Sequence, residues 1–102
     1  NTLLFRAYQL LRINQYKLLS TCLNVSGRPS FNQPVQLVGQ GKIVFNGKVE
    51  LGVWPSPYFF NGYIYIEARN PNSSIEINDG VWINNNTVIV SEGEGIYVGK
   101  IL

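Results

Sequence analysis

An all-β chain wound as a parallel β-helix, opened by one short α-helix, is what this sequence predicts. Three observations carry the prediction. Large aliphatics recur every six residues at Ile77, Ile83 and Ile89, with the smaller Val81 and Thr87 four places after the first two. Asn78 and Asn84 follow the first two isoleucines directly, so each hexad reads as a large aliphatic, a polar corner and a small residue. Val, Ile, Tyr, Asn and Gly are abundant after residue 20, while helix-favouring residues thin out. In a β-helix each hexad is one flat face of a three-sided prism and three faces make one coil. Asn, Gly and Ser supply the tight corners. Simple alternation, as in Ile75-Glu76-Ile77, would also suit an ordinary strand. The punctuation recurring at a fixed phase favours the coil.

Residues 1–19 read as the helix. Leu3, Ala7, Leu10, Leu11 and Leu18 recur at three- and four-residue spacing, and Asn1-Thr2 can cap the start. Arg6, Gln9 and Arg12 fall on the opposite face. Such a helix can close the open end of a prism, whose strand edges are otherwise unpaired. It can also lie on a membrane surface, a peripheral contact made by the leucine stripe.

Residues 20–102 form the coils. Residues 20–36 show no clean period, and Ser-Gly-Arg-Pro and Asn-Gln-Pro punctuate them, so they read as a connector of extended pieces. Hexads begin near Val35. Phe45 and Leu51 are six apart, with Val49 at the small position and Gly52 at the corner. Pro55-Ser-Pro-Tyr-Phe-Phe-Asn-Gly62 interrupts the pattern as a loop. Tyr63–Glu67 resumes as a strand, and Asn70-Pro-Asn-Ser-Ser74 turns into the final hexads. There Ile75, Ile77, Val81, Ile83, Thr87, Ile89, Ile96 and Val98 face in, while Glu76, Trp82, Val88 and Tyr97 face out. Ile89 to Val98 is nine residues, which places three extra residues near Ser91-Glu92-Gly93-Glu94-Gly95. Such insertions tend to cluster on the binding face of a repeat fold. An outward Trp82 marks a subunit interface or a ligand surface.

The 102 residues suffice for one domain, and no apolar run is long enough to span a membrane. The single cysteine, Cys22, makes no internal disulfide and fits a reducing, cytoplasmic setting. Six basic residues and no acid lie in 1–49, whereas 50–102 hold six acids and two basic residues. The front half can lean on an anionic surface, or simply be a solvated face balanced by the acidic coils. No histidine is present, so Cys22 and Ser91 have no base to activate them. No residue cluster has metal-ligand spacing. The glycines at 93, 95 and 99 are not followed by a helix that could seat a phosphate. Basic residues are too scattered for nucleic-acid recognition.

The segment Gly80-Val-Trp-Ile-Asn-Asn-Asn-Thr-Val-Ile-Val90 resembles the left-handed β-helix O-acetyltransferases of the hexapeptide-repeat superfamily. Pro55-Ser-Pro-Tyr-Phe-Phe-Asn-Gly-Tyr-Ile-Tyr-Ile-Glu-Ala-Arg-Asn-Pro-Asn72 looks more like the branch that decorates bacterial capsule and O-antigen sugars. The resemblance covers roughly residues 20–102. It implies a left-handed helix, a homotrimer with sites between neighbouring prisms, and direct transfer of acetyl from acetyl-CoA to a sugar or polysaccharide hydroxyl. That chemistry needs a base for the hydroxyl proton and donors for the developing oxyanion. The family's histidine base lies beyond the last coil found here, so the chain is expected to be the N-terminal part of a longer enzyme and inactive alone. A coil cut short at Leu102 would leave Ile96, Val98 and Ile101 in an incomplete layer, and the chain is expected to self-associate.

The resemblance carries over only on the acceptor side. The family's Asn-x-Asn pair is matched by Asn84 and Asn86, the first contacting the reacting group. An acid that holds acceptor hydroxyls falls at Glu92, or at Glu94 across the insertion. Asparagines at corners also serve simply to satisfy turn backbone. A different reading makes the chain a non-catalytic β-helix module for carbohydrate binding or trimerisation. Tyr58, Phe59, Phe60 and Trp82 would then be the sugar-stacking surface.

Overall fold

A computed structural model describes residues 2–54, 60–93 and 95–99. After helix α1 (Thr2–Leu19) come β1 (Asn24–Ser26), β2 (Ser30–Phe31), β3 (Val35–Val38), β4 (Lys42–Phe45) and β5 (Glu50–Leu51). The chain continues through β6 (Ile64–Ala68), β7 (Ser74–Ile77), β8 (Trp82–Ile83), β9 (Val88–Ser91) and β10 (Ile96–Val98). These strands build three parallel sheets, ordered β1-β4-β7-β10, β2-β5-β8 and β3-β6-β9. The chain visits the three sheets in rotation and returns to each after every third strand. This arrangement is compatible with a β-helix.

Register explains why the hexads work. Ile43 pairs with Ile75 and Phe45 with Ile77; Ile75 and Ile77 pair in turn with Ile96 and Val98. Leu51 pairs with Ile83, and Leu37 with Ile66, which pairs with Ile89. Like residues therefore stack along the axis. Ile43, Leu51, Ile64, Ile66, Ile75 and Ile77 are fully buried, and Val81, Ile89, Ile96 and Val98 pack against them partly buried. Glu76, Trp82, Val88 and Tyr97 face outward as expected.

Coils begin earlier than the periodicity suggests. Residues 20–36, expected to be a connector, contain β1 and β2, which pair with β4 and β5. Val25, Phe31, Leu37 and Ile43 are in fact six apart, but Val25 lies on an exposed edge strand and the prolines mask the rhythm. Register also trims the expected insertion. The corner between the third and first sheets takes eight residues from Leu37 to Phe45, eleven from Ile66 to Ile77 and nine from Ile89 to Val98. The larger insertion lies elsewhere. Phe31 to Leu37 and Ile83 to Ile89 are six residues each, whereas the equivalent Leu51 to Ile66 is fifteen. This is the loop carrying Pro55-Ser-Pro, of which residues 55–59 lie outside those described.

The helix is present, and it packs through a largely polar face rather than through its leucine stripe. Leu3, Leu10, Leu11 and Leu18 are exposed, whereas Gln9 and Ile13 are buried and Arg12 and Tyr16 half-buried. The reason is what the helix covers. The first coil ends in backbone groups without strand partners, and such groups need donors and acceptors rather than methyls. Gln9 Nε2 donates to the Asn32 carbonyl at 3.0 Å, and Gln9 Oε1 accepts from Arg12 at 2.8 Å. Arg12 also donates to the Gly62 carbonyl. Just past the helix, the amides of Thr21 and Cys22 donate to the Leu37 carbonyl at 2.8 and 3.0 Å. Ser20 Oγ accepts from the Leu37 amide at 2.9 Å. Residues 20–22 thereby cover the outer edge of β3. Tyr16 against Tyr63 (4.7 Å between ring centroids) and Phe5 against Phe60 (5.4 Å) fasten the helix to both sides of Gly62.

Candidate functional site

Asn84, Asn85 and Asn86 form the corner between β8 and β9. Asn84 is exposed; its Oδ1 accepts from the Asn85 amide and its carbonyl from Thr87 Oγ1. The buried member is Asn85, which sequence reasoning passed over. Its Oδ1 accepts the Val53 amide at 2.8 Å and its Nδ2 donates to the Val53 carbonyl at 2.7 Å, clamping the coil below. Asn86 takes φ +61° and donates its amide to Oε1 of the buried Gln33. Asparagine visits this left-handed region more readily than other non-glycine residues. Asn85 thus ties its corner to Val53 in the neighbouring coil, and Asn86 ties it to Gln33 of the first coil, two coils away. Asn78 works similarly one corner earlier, accepting from Asn46 Nδ2 at 3.0 Å.

Glu92 stands at the next corner, a whole strand away: four residues of β9 span on the order of 13 Å. Its carboxylate is paired with Arg69, which also binds Glu67 at 2.8 Å, and its carbonyl accepts from Asn70 Nδ2. The Arg69 guanidinium, and then the Tyr65 hydroxyl, hold the Glu67 carboxyl below its ordinary value. Hydrogen bonding to Glu67, with some desolvation, raises the Tyr65 phenol. The structure therefore does not bring Glu92 together with Asn84 and Asn86. Glu94 and the aromatics Tyr58 and Phe59 lie outside the described residues.

Trp82 belongs to a different setting. On the outer face of the second sheet, Ser30, Glu50 and Trp82 occupy one row across β2, β5 and β8. Helix α1 stands beside this face, and between them runs a groove of about 800 Å³. Phe5, Trp54, Phe60 and Trp82 supply its aromatic surface; Arg6, Gln9, Asn32 and Glu50 supply its polar groups. Trp54 packs edge-on against Phe60 at 5.1 Å, and both tryptophans are 62% exposed. Glu50 Oε1 accepts from Asn32 Nδ2 at 3.4 Å. Glu50 Oε2 is buried and has no hydrogen-bond partner among the described residues. Glu50 and Trp82 share an outward position one coil apart, a signal present in the sequence but legible only once the coils are registered.

Among the described residues no group of three or more Cys, Asp or Glu is placed to hold a metal ion. Cys22 is half-buried, its Sγ 3.5 Å from the Gly41 carbonyl. No described helix is long and apolar enough to cross a membrane. No family model, curated protein or solved structure matches the chain.

Proposed function

We propose that the chain is a left-handed parallel β-helix that takes part in O-acetyl transfer from acetyl-CoA to a hydroxyl of a surface polysaccharide or sugar precursor. It supplies the acceptor side, because without histidine it has no ready base near neutral pH. The observation that carries the reading is three parallel sheets visited in rotation with aliphatics stacked inside, the architecture its hexads and Asn-rich corner resemble. Asn84 is the reacting-group contact in this reading, with Asn86, Glu92 and Trp82 on the acceptor. In this reading the protein is a homotrimer with its sites between neighbouring prisms. The protein works in the cytoplasm, and the outward leucines of α1, beside a front half without acids, suit a peripheral membrane contact.

Deleting the encoding gene should remove O-acetyl esters from the cell's surface polysaccharide, read by NMR of the purified polymer. The wild-type gene should restore them and an Asn84→Ala gene should not. Unchanged O-acetyl content on deletion overturns the transferase reading. It would leave the second one, a carbohydrate-binding module without catalysis, which the aromatic groove specifically favours.

A further inference from the structure

We infer that the groove between α1 and the outer face of the second sheet is a glycan-binding site, with Glu50 as its anchoring acceptor and Trp82 and Trp54 as its stacking surfaces. The inference rests on the carbohydrate reading but places the sugar away from the Asn84 corner. Three observations converge. Glu50 Oε2 is buried without a partner among the described residues while Oε1 accepts from Asn32, so one acceptor of the carboxylate is unused among them. A buried acceptor left unmade is costly, and a ligand hydroxyl would supply the missing donor. Trp54 and Trp82 leave most of their surface open to the groove and solvent, as a partner for the apolar C–H face of a sugar ring requires. The volume suits more than one ring.

Charge selects among ligands. An aromatic surface with a carboxylate could also take an organic cation. Here Arg6 lines the same groove, Arg12 and Lys17 stand on the same helix, and Glu50 is the one acid among the described lining residues. A cation is disfavoured, and a neutral or acidic sugar with hydroxyl donors fits. Gln9 and Asn32 add amide groups to the lining, although Gln9 Nε2 already donates to the Asn32 carbonyl and Asn32 Nδ2 to the Gly52 carbonyl.

The test is quenching of tryptophan fluorescence by maltohexaose, chitohexaose and hexagalacturonate, with tetramethylammonium as the cationic probe. At least one glycan should bind. Glu50→Gln keeps shape and removes the charged acceptor. It should weaken binding on the order of tenfold or more, with unchanged circular dichroism. Trp82→Ala should do the same, read by calorimetry. Binding insensitive to both variants overturns the groove. If Asn84→Ala and Glu92→Gln abolish binding instead, the groove falls while the transferase reading stands. Binding of tetramethylammonium alone overturns the glycan assignment.

Discussion

Replacing Gln9 by Ala should destabilise the protein more than replacing Leu11 by Ser, the reverse of what residue hydrophobicity suggests. Gln9 is 6% exposed and Leu11 72%. Truncating Gln9 strips the Asn32 carbonyl of its donor and Arg12 of an acceptor, both at the sealed end of the first coil. A buried group left unpaired costs about 1–3 kcal/mol. Leu11 touches solvent, and such a substitution stays within about 0.5 kcal/mol. Against a total stability of about 5–15 kcal/mol the first effect is readily measured. Urea unfolding followed by circular dichroism should show a lower midpoint for Gln9→Ala at unchanged slope. A Leu11→Ser loss as large as that of Gln9→Ala would mean the helix seats its leucine stripe on the coil, and the polar-cap reasoning would be wrong.

Two further outcomes follow from the corners and the ion cluster. Gly39 has φ +112°, and a Cβ there would lie 2.0 Å from the Ala68 carbonyl oxygen. Gly39→Ala should therefore cost more than the roughly 1–3 kcal/mol of a strained backbone alone, and a melting temperature within a degree or two of wild type would refute the tight stacking of that corner. Glu67 has its pKa lowered by Arg69 and Tyr65, so its contribution is present above the unfolded value of about 4.3 and is lost as pH falls through the folded value. The stability difference between wild type and Glu67→Gln should be full at pH 6 and shrink below pH 4. A difference constant down to pH 2.5 would contradict the pairing.

Much of the architecture was legible in single residues. Ile77, Ile83 and Ile89 announced the period, because a stacked coil needs a large aliphatic at every face. The outward Trp82 and inward Ile75 followed from strand alternation. Residues 20–36 hid two strands because Val25 sits on an exposed edge, where burial does not demand a strong apolar signal. Which helix face packs was not legible, because periodicity records which side is greasy, not which side meets a neighbour. At the end of a coil the neighbour is polar backbone, so Gln9 and Arg12 turn in and the leucines turn out. The asparagine corner could be located but not divided: three consecutive asparagines look alike until packing buries Asn85 and leaves Asn84 exposed. Glu50 was invisible as a site residue, since its unused oxygen depends on Asn32, Trp82 and α1, brought beside it from 18 and 32 residues away and from the far end of the chain. The sequence by itself determined the repeat and the direction each side chain faces, because both are set by neighbours a few residues apart. Only the tertiary structure decided which corners carry insertions, which face the helix buries and where a groove opens, because those depend on register between coils.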